Sequence, residues 1–541
     1  MSFRGITALL PIGQLGFTGT KNPSQAEPGH FTYTDGAELE GGIIRKEGGA
    51  DKLNATALDD GVDPVVIVSG IGWSPDGSTS QLVVFTSNGD ILGDDGTGAF
   101  ATTIETGLTD AREPPPSWAI GGGETVGEPP KLFMFSATNQ VEVIHGDTPT
   151  TGAAITTPPA DWAAGEFPIF GVAHANRIFA GGNLSDPHRL YYTGVADHEV
   201  YSSGGGGGTI SIYPGDGQRL IGGISFRGAL ILWKYPTGIY IVNTSDPTPA
   251  NWTVARMTRA VGSISQHTIV QIENDVLYLD RIGNIHALGA TNEFGDVNTS
   301  NIGERNALGP WLRENINQAA LKKSAGIWYP SKRQAWFAMP QLGSTENNIR
   351  IMLGFEPQTQ EGAPVFRPFL SRRDEPVCMF TFPDDDGIER PHIGDPDGFV
   401  WKLDTPTYNK DGLGYLIDFE TGGIDFSYLD PILHYKWKNG AFLEINYEPQ
   451  GAWNLDVEIY WDDRLRQVIV FPMGFVGGTL DSFTLDTDVL GADSVKTARR
   501  RVVAGGRRFK LKASNSGVGE NVVLAEFHLA FTVGDERVAS E

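Results

Sequence analysis

The chain has 541 residues, too many for one ordinary domain. It carries 69 Gly, 33 Pro and a single cysteine, and helical periodicity longer than two turns is almost absent, so an all-β protein with one large and one small domain is predicted. The net charge of −25 disfavours a sequence-independent grip on nucleic acid through phosphates, and no segment approaches the ~20 apolar residues of a membrane helix.

In chain order, the apolar run between Met1 and Pro11 is too short for a signal peptide, and no targeting segment is predicted. Residues 1–60 are irregular, with Pro11, Pro23 and Pro28 spaced through them and one compact turn unit from Glu40 to Gly49. They read as an extended arm that drapes over something and ends in a hairpin.

From Val65 a repeated meander begins. Its first unit is Val65 to Val68, Leu82 to Phe85, the turn Ser87-Asn-Gly89 and Asp90 to Leu92. Asn-Gly between apolar runs is a strong hairpin signal, because both central residues of a type I′ turn need positive φ. Equivalent units start at Trp118, Ile169, Leu220, Thr268, Ser324 and Val377. The most complete is Arg219 to Val242, three β-branched or aromatic runs broken at Arg227-Gly228 and Pro236-Thr-Gly238. No such meander can bury both its faces alone. The units recur every roughly 45–65 residues, the spacing of four-stranded propeller blades. Residues 61–410 are therefore expected to form a six- or seven-bladed β-propeller, with Trp233, Tyr235 and Tyr240 packing between blades. Pro310 marks one short surface helix between Ile302 and Asn317.

Beyond Asp404 the strands lengthen and alternate strictly: Leu455, Val457, Ile459 and Trp461 point one way, and Asp456, Glu458 and Tyr460 the other. Residues 411–541 are expected to form a separate β-sandwich domain.

Few residues suggest chemistry. Cys378 sits in an apolar run and reads as a small buried hydrophobe. Ser74-Pro-Asp-Gly-Ser-Thr79 resembles the Asp-box turn of sialidase-like propellers but occurs once. The acids Asp384 to Asp386, Asp395 and Asp397 are explained by turn chemistry rather than calcium, the histidines lack metal-ligand spacing, and Gly204 to Gly208 reads as a flexible loop. No catalytic residue, cofactor or metal is assigned. The one dense basic cluster is Arg499, Arg500, Arg501, Arg507, Arg508, Lys510 and Lys512. It is either a strand face neutralised by local acids or an interface for an acidic partner surface, such as a neighbouring copy of this chain.

Three sets of motifs carry a family resemblance. Leu10 to Gly16, Pro28-Gly29 and Gly41 to Gly49 form the first. Ala173 to Phe179, Leu190 to Tyr192, Gly215 to Gly217, Ile221-Gly222 and Leu230 to Val242 form the second, and Arg507 to Lys512 with Phe527 to Leu529 the third. Together they resemble the tail nozzle proteins of short-tailed bacteriophages, also called tail tubular protein B. The resemblance implies a structural virion protein, made in the host cytoplasm, that assembles as a homo-oligomeric ring of six below the portal's tail adaptor. Such a ring encloses the channel for genome ejection, offers docking for tail fibres or spikes, and needs no catalysis. The acidic composition suits such a conduit, since even about six phosphate contacts in the lumen would hold the duplex tightly.

Two other classes compete. A carbohydrate-binding or carbohydrate-cleaving propeller acting on host surface polysaccharide predicts small oligomers and paired carboxylates in an axial pocket. An interaction propeller of the WD type is weakened by the missing Gly-His and Trp-Asp signatures.

Overall fold

The computed structural model describes residues 5–20, 26–40, 42–110, 112–122, 128–162, 166–289, 300–302, 307–356, 365–383, 387–474 and 495–534. Among these residues, seven four-stranded antiparallel sheets follow one another along the chain and two wider sheets gather strands from both of its ends. The first sheet comprises Ile67–Trp73, Gln81–Thr86, Ile91–Asp94 and Thr102–Glu105, each strand beside its predecessor in sequence. The same plain meander builds the second sheet from Ser117–Gly121, the third from Phe170–His174, the fourth from Arg219–Phe226, the fifth from Val270–Gln271 and the sixth from Ala325–Tyr329.

The first strands of these sheets follow one another around a ring, the fourth and fifth meeting through the turn Gln266–Thr268, and the first strand of the seventh sheet, Cys378–Pro383, returns to lie against Ile67–Trp73. That cyclic arrangement is an all-β propeller, as the recurrence predicts. Where the ring meets itself the strands approach closely, and glycine allows it. A Cβ on Gly70 would come within 2.6 Å of the Phe380 ring, and one on Gly72 within 2.7 Å of the Thr381 carbonyl oxygen. Trp233, wholly buried in the fourth sheet, packs on Tyr278 of the fifth with ring centroids 5.6 Å apart, and Tyr240 is also buried. Tyr235 departs from expectation, being 36% exposed at the end of its strand.

The N-terminal segment is not an extended arm lying over the surface. Gly49–Lys52 is the fourth strand of the seventh sheet, paired with Val400–Thr405, so the start of the chain completes the sheet that its later residues began. Ile6–Leu10 pairs with Val523–Gly534, and the hairpin Ala37–Glu40 with Ile43–Lys46 joins the same seven-stranded sheet. Gly16–Phe17 and His30–Asp35 enter the six-stranded sheet through Ile417–Thr421. The physical reason is twofold: short strands gain their backbone hydrogen bonds only by joining existing ladders, and doing so buries Ala8, Leu10, Phe31 and Ile44 in the core.

The two wide sheets share one apolar core. Leu443, Ile445, Phe527 and Leu529 come from the seven-stranded sheet, and Phe419, Val457, Ile459 and Leu511 from the six-stranded one. Phe419 meets Phe527 edge-on at 6.3 Å. The expected helix, α1, runs Leu308–Asn315, with Pro310 as its third residue. It is less superficial than expected, because Leu308 and Leu312 are buried in the core between the fifth and sixth sheets and Trp311 meets Phe17 of the N-terminal segment edge-on. Gly204 to Gly208 is packed in part: Arg177 donates to the Gly206 carbonyl at 2.9 Å and a Cβ on Gly207 would meet Tyr201 backbone at 2.6 Å, whereas Gly204 is exposed with open space around it.

Candidate functional site

The basic cluster, contiguous in sequence, is divided by the fold. Lys510 and Lys512 alternate outward from Phe509–Asn515 in the six-stranded sheet, where each finds an acid across the strands. Lys510 lies 2.5 Å from Glu420, and Lys512 3.1 Å from Asp418. Their charges are cancelled in place, which is the solvated-face reading. Arg499, Arg500 and Arg501 lie on Lys496–Arg501, the edge strand of the seven-stranded sheet. Arg499 pairs with Glu444 at 3.0 Å and covers the Phe442 ring at 3.9 Å, while Arg500 lies 5.9 Å from the Phe471 ring. Positive charge on an exposed edge also discourages unwanted strand pairing.

Arg507 and Arg508 belong to a third place, a groove of about 630 Å³ beside the hairpin turn Asp462-Asp463. Both turn residues have positive φ, 50° and 61°. Asp462 fixes the turn to the next segment, its carboxylate accepting the backbone N–H groups of Arg507 and Arg508 at 3.0 Å each. Glycine at 506 is required for this, since a Cβ there would meet the Asp462 carboxylate at 2.7 Å. His434, Tyr435 and Trp437 also line the groove. His434 is held by Asp425 at 2.5 Å, and Tyr435, stacked edge-on against it, is 70% exposed. Nearby, burial pushes the Lys438 ammonium down to about 8 while it donates to the Lys436 and Arg507 carbonyl oxygens.

The propeller axis is crossed at one end. The segment leading into Ser117–Gly121 reaches the opposite side of the ring, where the Pro115 carbonyl oxygen lies 3.1 Å from His267 Nε2 beside the fifth sheet. Glu113 lies 3.7 Å from Lys323 at the entry to the sixth. Burial lowers the His267 pKa, with the Pro115 and Pro116 carbonyls opposing.

Two buried charge clusters join the N-terminal hairpin to the propeller. Lys332, in the turn after Ala325–Tyr329, bridges Glu38 at 2.5 Å and Asp404 at 2.6 Å. Burial works against its ammonium, and the two carboxylates outweigh that and hold the charge. In the second cluster Arg350 donates to Glu47 and, at 2.6 Å, to Asp374, and Arg373 donates to both acids at 3.2 Å. Burial alone would raise the Glu47 and Asp374 carboxyls, but the guanidinia hold both below their usual range. The Tyr415 hydroxyl donates to the Glu47 carbonyl oxygen. Sequence reasoning missed these residues because charges 300 positions apart leave no local signal.

The remaining candidates resolve as structure. Cys378 Sγ contacts the Ile67 carbonyl oxygen at 3.5 Å, and burial pushes its thiol up to about 12, away from the reactive thiolate. In the Asp-box-like turn Asp76 accepts Ser78 and Thr79 N–H groups at 2.8 and 2.5 Å. Asp384 to Asp386 lie outside the described residues. Asp395 accepts Asp397 and Phe399 N–H and Trp401 Nε1, leaving it saturated by protein donors. Asp280 does the same for Ile282, Asn284 and His286. The shared signal, an Asp three residues before the turn glycine, is visible in the sequence as Asp280-Arg-Ile-Gly283 and Asp395-Pro-Asp-Gly398. Among the described residues no group of three or more His, Cys, Asp or Glu is placed to hold a metal ion, and no helix is long and apolar enough to cross a membrane.

No protein-family model and no curated protein matches the chain. Among solved structures it is similar to BamB from Moraxella catarrhalis at 11% identity, covering 68% of this chain and 95% of that one with a TM-score of 0.34. It is similar to YCF48 from Cyanidioschyzon merolae at 10% identity, covering 65% and 98% with a TM-score of 0.37. BBS1N, solved in complex with ARL6DN, matches at 14% identity over 48% and 76% with a TM-score of 0.29. Similarities of this size say nothing about activity.

Proposed function

We propose that this chain is a structural virion protein, the tail nozzle of a short-tailed bacteriophage. In this reading the seven four-stranded sheets are seven blades, and the two wide sheets are the layers of a β-sandwich. Six copies close into a ring below the tail adaptor, with tail fibres or spikes docking outside, and the genome leaves through the conduit they enclose without specific binding. The role is mechanical and needs no catalysis.

One observation carries the reading. Segments that bear the resemblance from opposite ends of the chain are strand neighbours, Leu10 opposite Phe527, with Leu9 just before it opposite His528. The hairpin that follows is tied to the propeller through Glu38 and Glu47. A chain whose two bodies are locked by buried ion pairs suits a part that transmits load. The crossing of the propeller axis by Glu113 to Pro115 favours a conduit between copies over one along the axis of each. Native mass spectrometry and electron microscopy of the purified protein, alone and mixed with its adaptor, test the proposal. A ring is expected. A monomer that stays single with the adaptor, or cleavage of host polysaccharide, overturns it.

A further inference from the structure

The groove at Asp462-Asp463 is built like a ligand site that the nozzle reading does not use. Its volume of about 630 Å³ lies within the roughly 300–1,000 Å³ of small-molecule sites. Its walls are rigid: Asp425 pins His434, Asp462 pins the backbone of Arg507 and Arg508, and the glycines at 505 and 506 let the segments meet. A Cβ on Gly505 would lie 2.4 Å from the Lys438 carbonyl oxygen and 3.0 Å from Trp437 Nε1.

What the groove presents is mixed. Tyr435 stands 70% exposed, beside Trp437. Among the described residues, the Asp463 carboxylate, the Arg508 guanidinium and the Tyr435 hydroxyl have no hydrogen-bond partner. Asp462, Asp463, Arg507 and Arg508 all line the groove, so its two negative and two positive charges offset. A phosphate would meet the acids, and a cation would meet the arginines. A neutral polyol meets neither penalty, because a carboxylate can accept from, and a guanidinium donate to, a pair of adjacent hydroxyls. An exposed aromatic ring supplies the apolar face on which the C–H side of a pyranose can stack.

We propose that this groove binds a neutral oligosaccharide, with Tyr435 as the stacking platform and Asp463 and Arg508 as the hydroxyl-reading pair. The binding is independent of whether six copies form a ring.

Saturation-transfer NMR on the full chain tests this with three probes: maltohexaose, chitohexaose and isomaltohexaose. At least one is expected to receive saturation on its ring protons, with affinity weakened about tenfold, or 1.4 kcal/mol, by Tyr435→Ala and by Arg508→Ala. Melting by circular dichroism checks that each variant is folded, and Asp463→Asn provides a third variant should either melt early. No transfer to any probe overturns the proposal. So does transfer that the folded variants leave unchanged, or displacement of the sugar by equimolar inorganic phosphate, which would mark an anion site.

Discussion

The guanidinium of Arg350, wholly buried in the sixth sheet, donates to the carboxylate of Glu47, 303 residues earlier in the chain. The pair stands where the N-terminal strands leave the seven-stranded sheet for the propeller, and Asp374 and Arg373 complete it. Removing one partner leaves the other buried without compensation. Arg350→Ala should therefore lower unfolding free energy by roughly 3–5 kcal/mol in urea titrations. A loss below ~1 kcal/mol would mean that water reaches the cluster.

Acid should act through the same cluster. Glu47 and Asp374 have folded pKa values below their ordinary 4.5 and 3.8. The stability they contribute is present above those values and is lost as pH falls below them through the folded range. Melting temperature should drop steeply below about pH 4 in the wild type, and less steeply in a Glu47→Gln, Asp374→Asn double variant that starts from a lower value.

Glu142 of the second sheet predicts the opposite sign. Burial, then the Glu105 carboxylate, pushes its pKa up to about 7 from 4.5. The unfolded chain loses this proton first, so stability falls between those two pH values and the penalty persists above them. Glu142→Gln should raise stability at about pH 8 by on the order of 1 kcal/mol and leave it unchanged at about pH 4. Equal stabilisation at both pH values would assign the effect to packing.

Asp280 gathers four donors from its own turn. Burial would raise its pKa, but the His286 ring and the Asn284 and Ile282 amides outweigh that and hold it low. Asp280→Ala strands those donors and should cost roughly 2–4 kcal/mol, with amide exchange rising first in Leu279 to Ala287. Exchange confined to the far side of the ring would contradict a local role.

Gly49 admits no side chain: a Cβ would sit 2.4 Å from Thr407 Oγ1 and 2.9 Å from the Asn409 carbonyl oxygen. Gly49→Ala should cost roughly 1–3 kcal/mol and loosen the seventh sheet. Limited proteolysis near Thr405 to Asn409 would report it, and an unchanged cleavage pattern would count against closure by this strand.

The meanders were legible because their turns carry their own chemistry. Asn88-Gly89 and Asp395 to Gly398 announce hairpins within a few residues. The fourth strands were not, because Thr102–Glu105, Gly152–Ala154 and Gly208–Ser211 are short, partly exposed and barely apolar. Gly49–Lys52 is held by register with Val400–Thr405, so nothing in its four residues names its partner. The basic cluster misled for a related reason. Lys510 and Lys512 share a strand and a face, whereas Arg507 and Arg508 precede it in a turn and Arg499 to Arg501 lie in another sheet. Proximity in sequence is not proximity in space once strands alternate and chains cross between layers. In the groove, Tyr435 and Trp437 went unnoticed in the sequence, because nothing local to them marks the 70% exposure that Tyr435 has after the 3-10 turn Pro431–His434.

Closing the seventh sheet with residues 49–52 also sets an order of events during synthesis. Those residues leave the ribosome long before their partner strand, Val400–Thr405, which follows only after ~350 further residues, roughly 20–70 s at ~5–20 residues per second. Ile6–Leu10 waits longer still, for Val523–Gly534. Throughout that interval the nascent chain carries strand-forming segments with no ladder to join, so yield should depend on elongation rate and on holdase chaperones more than on the stability of the finished fold.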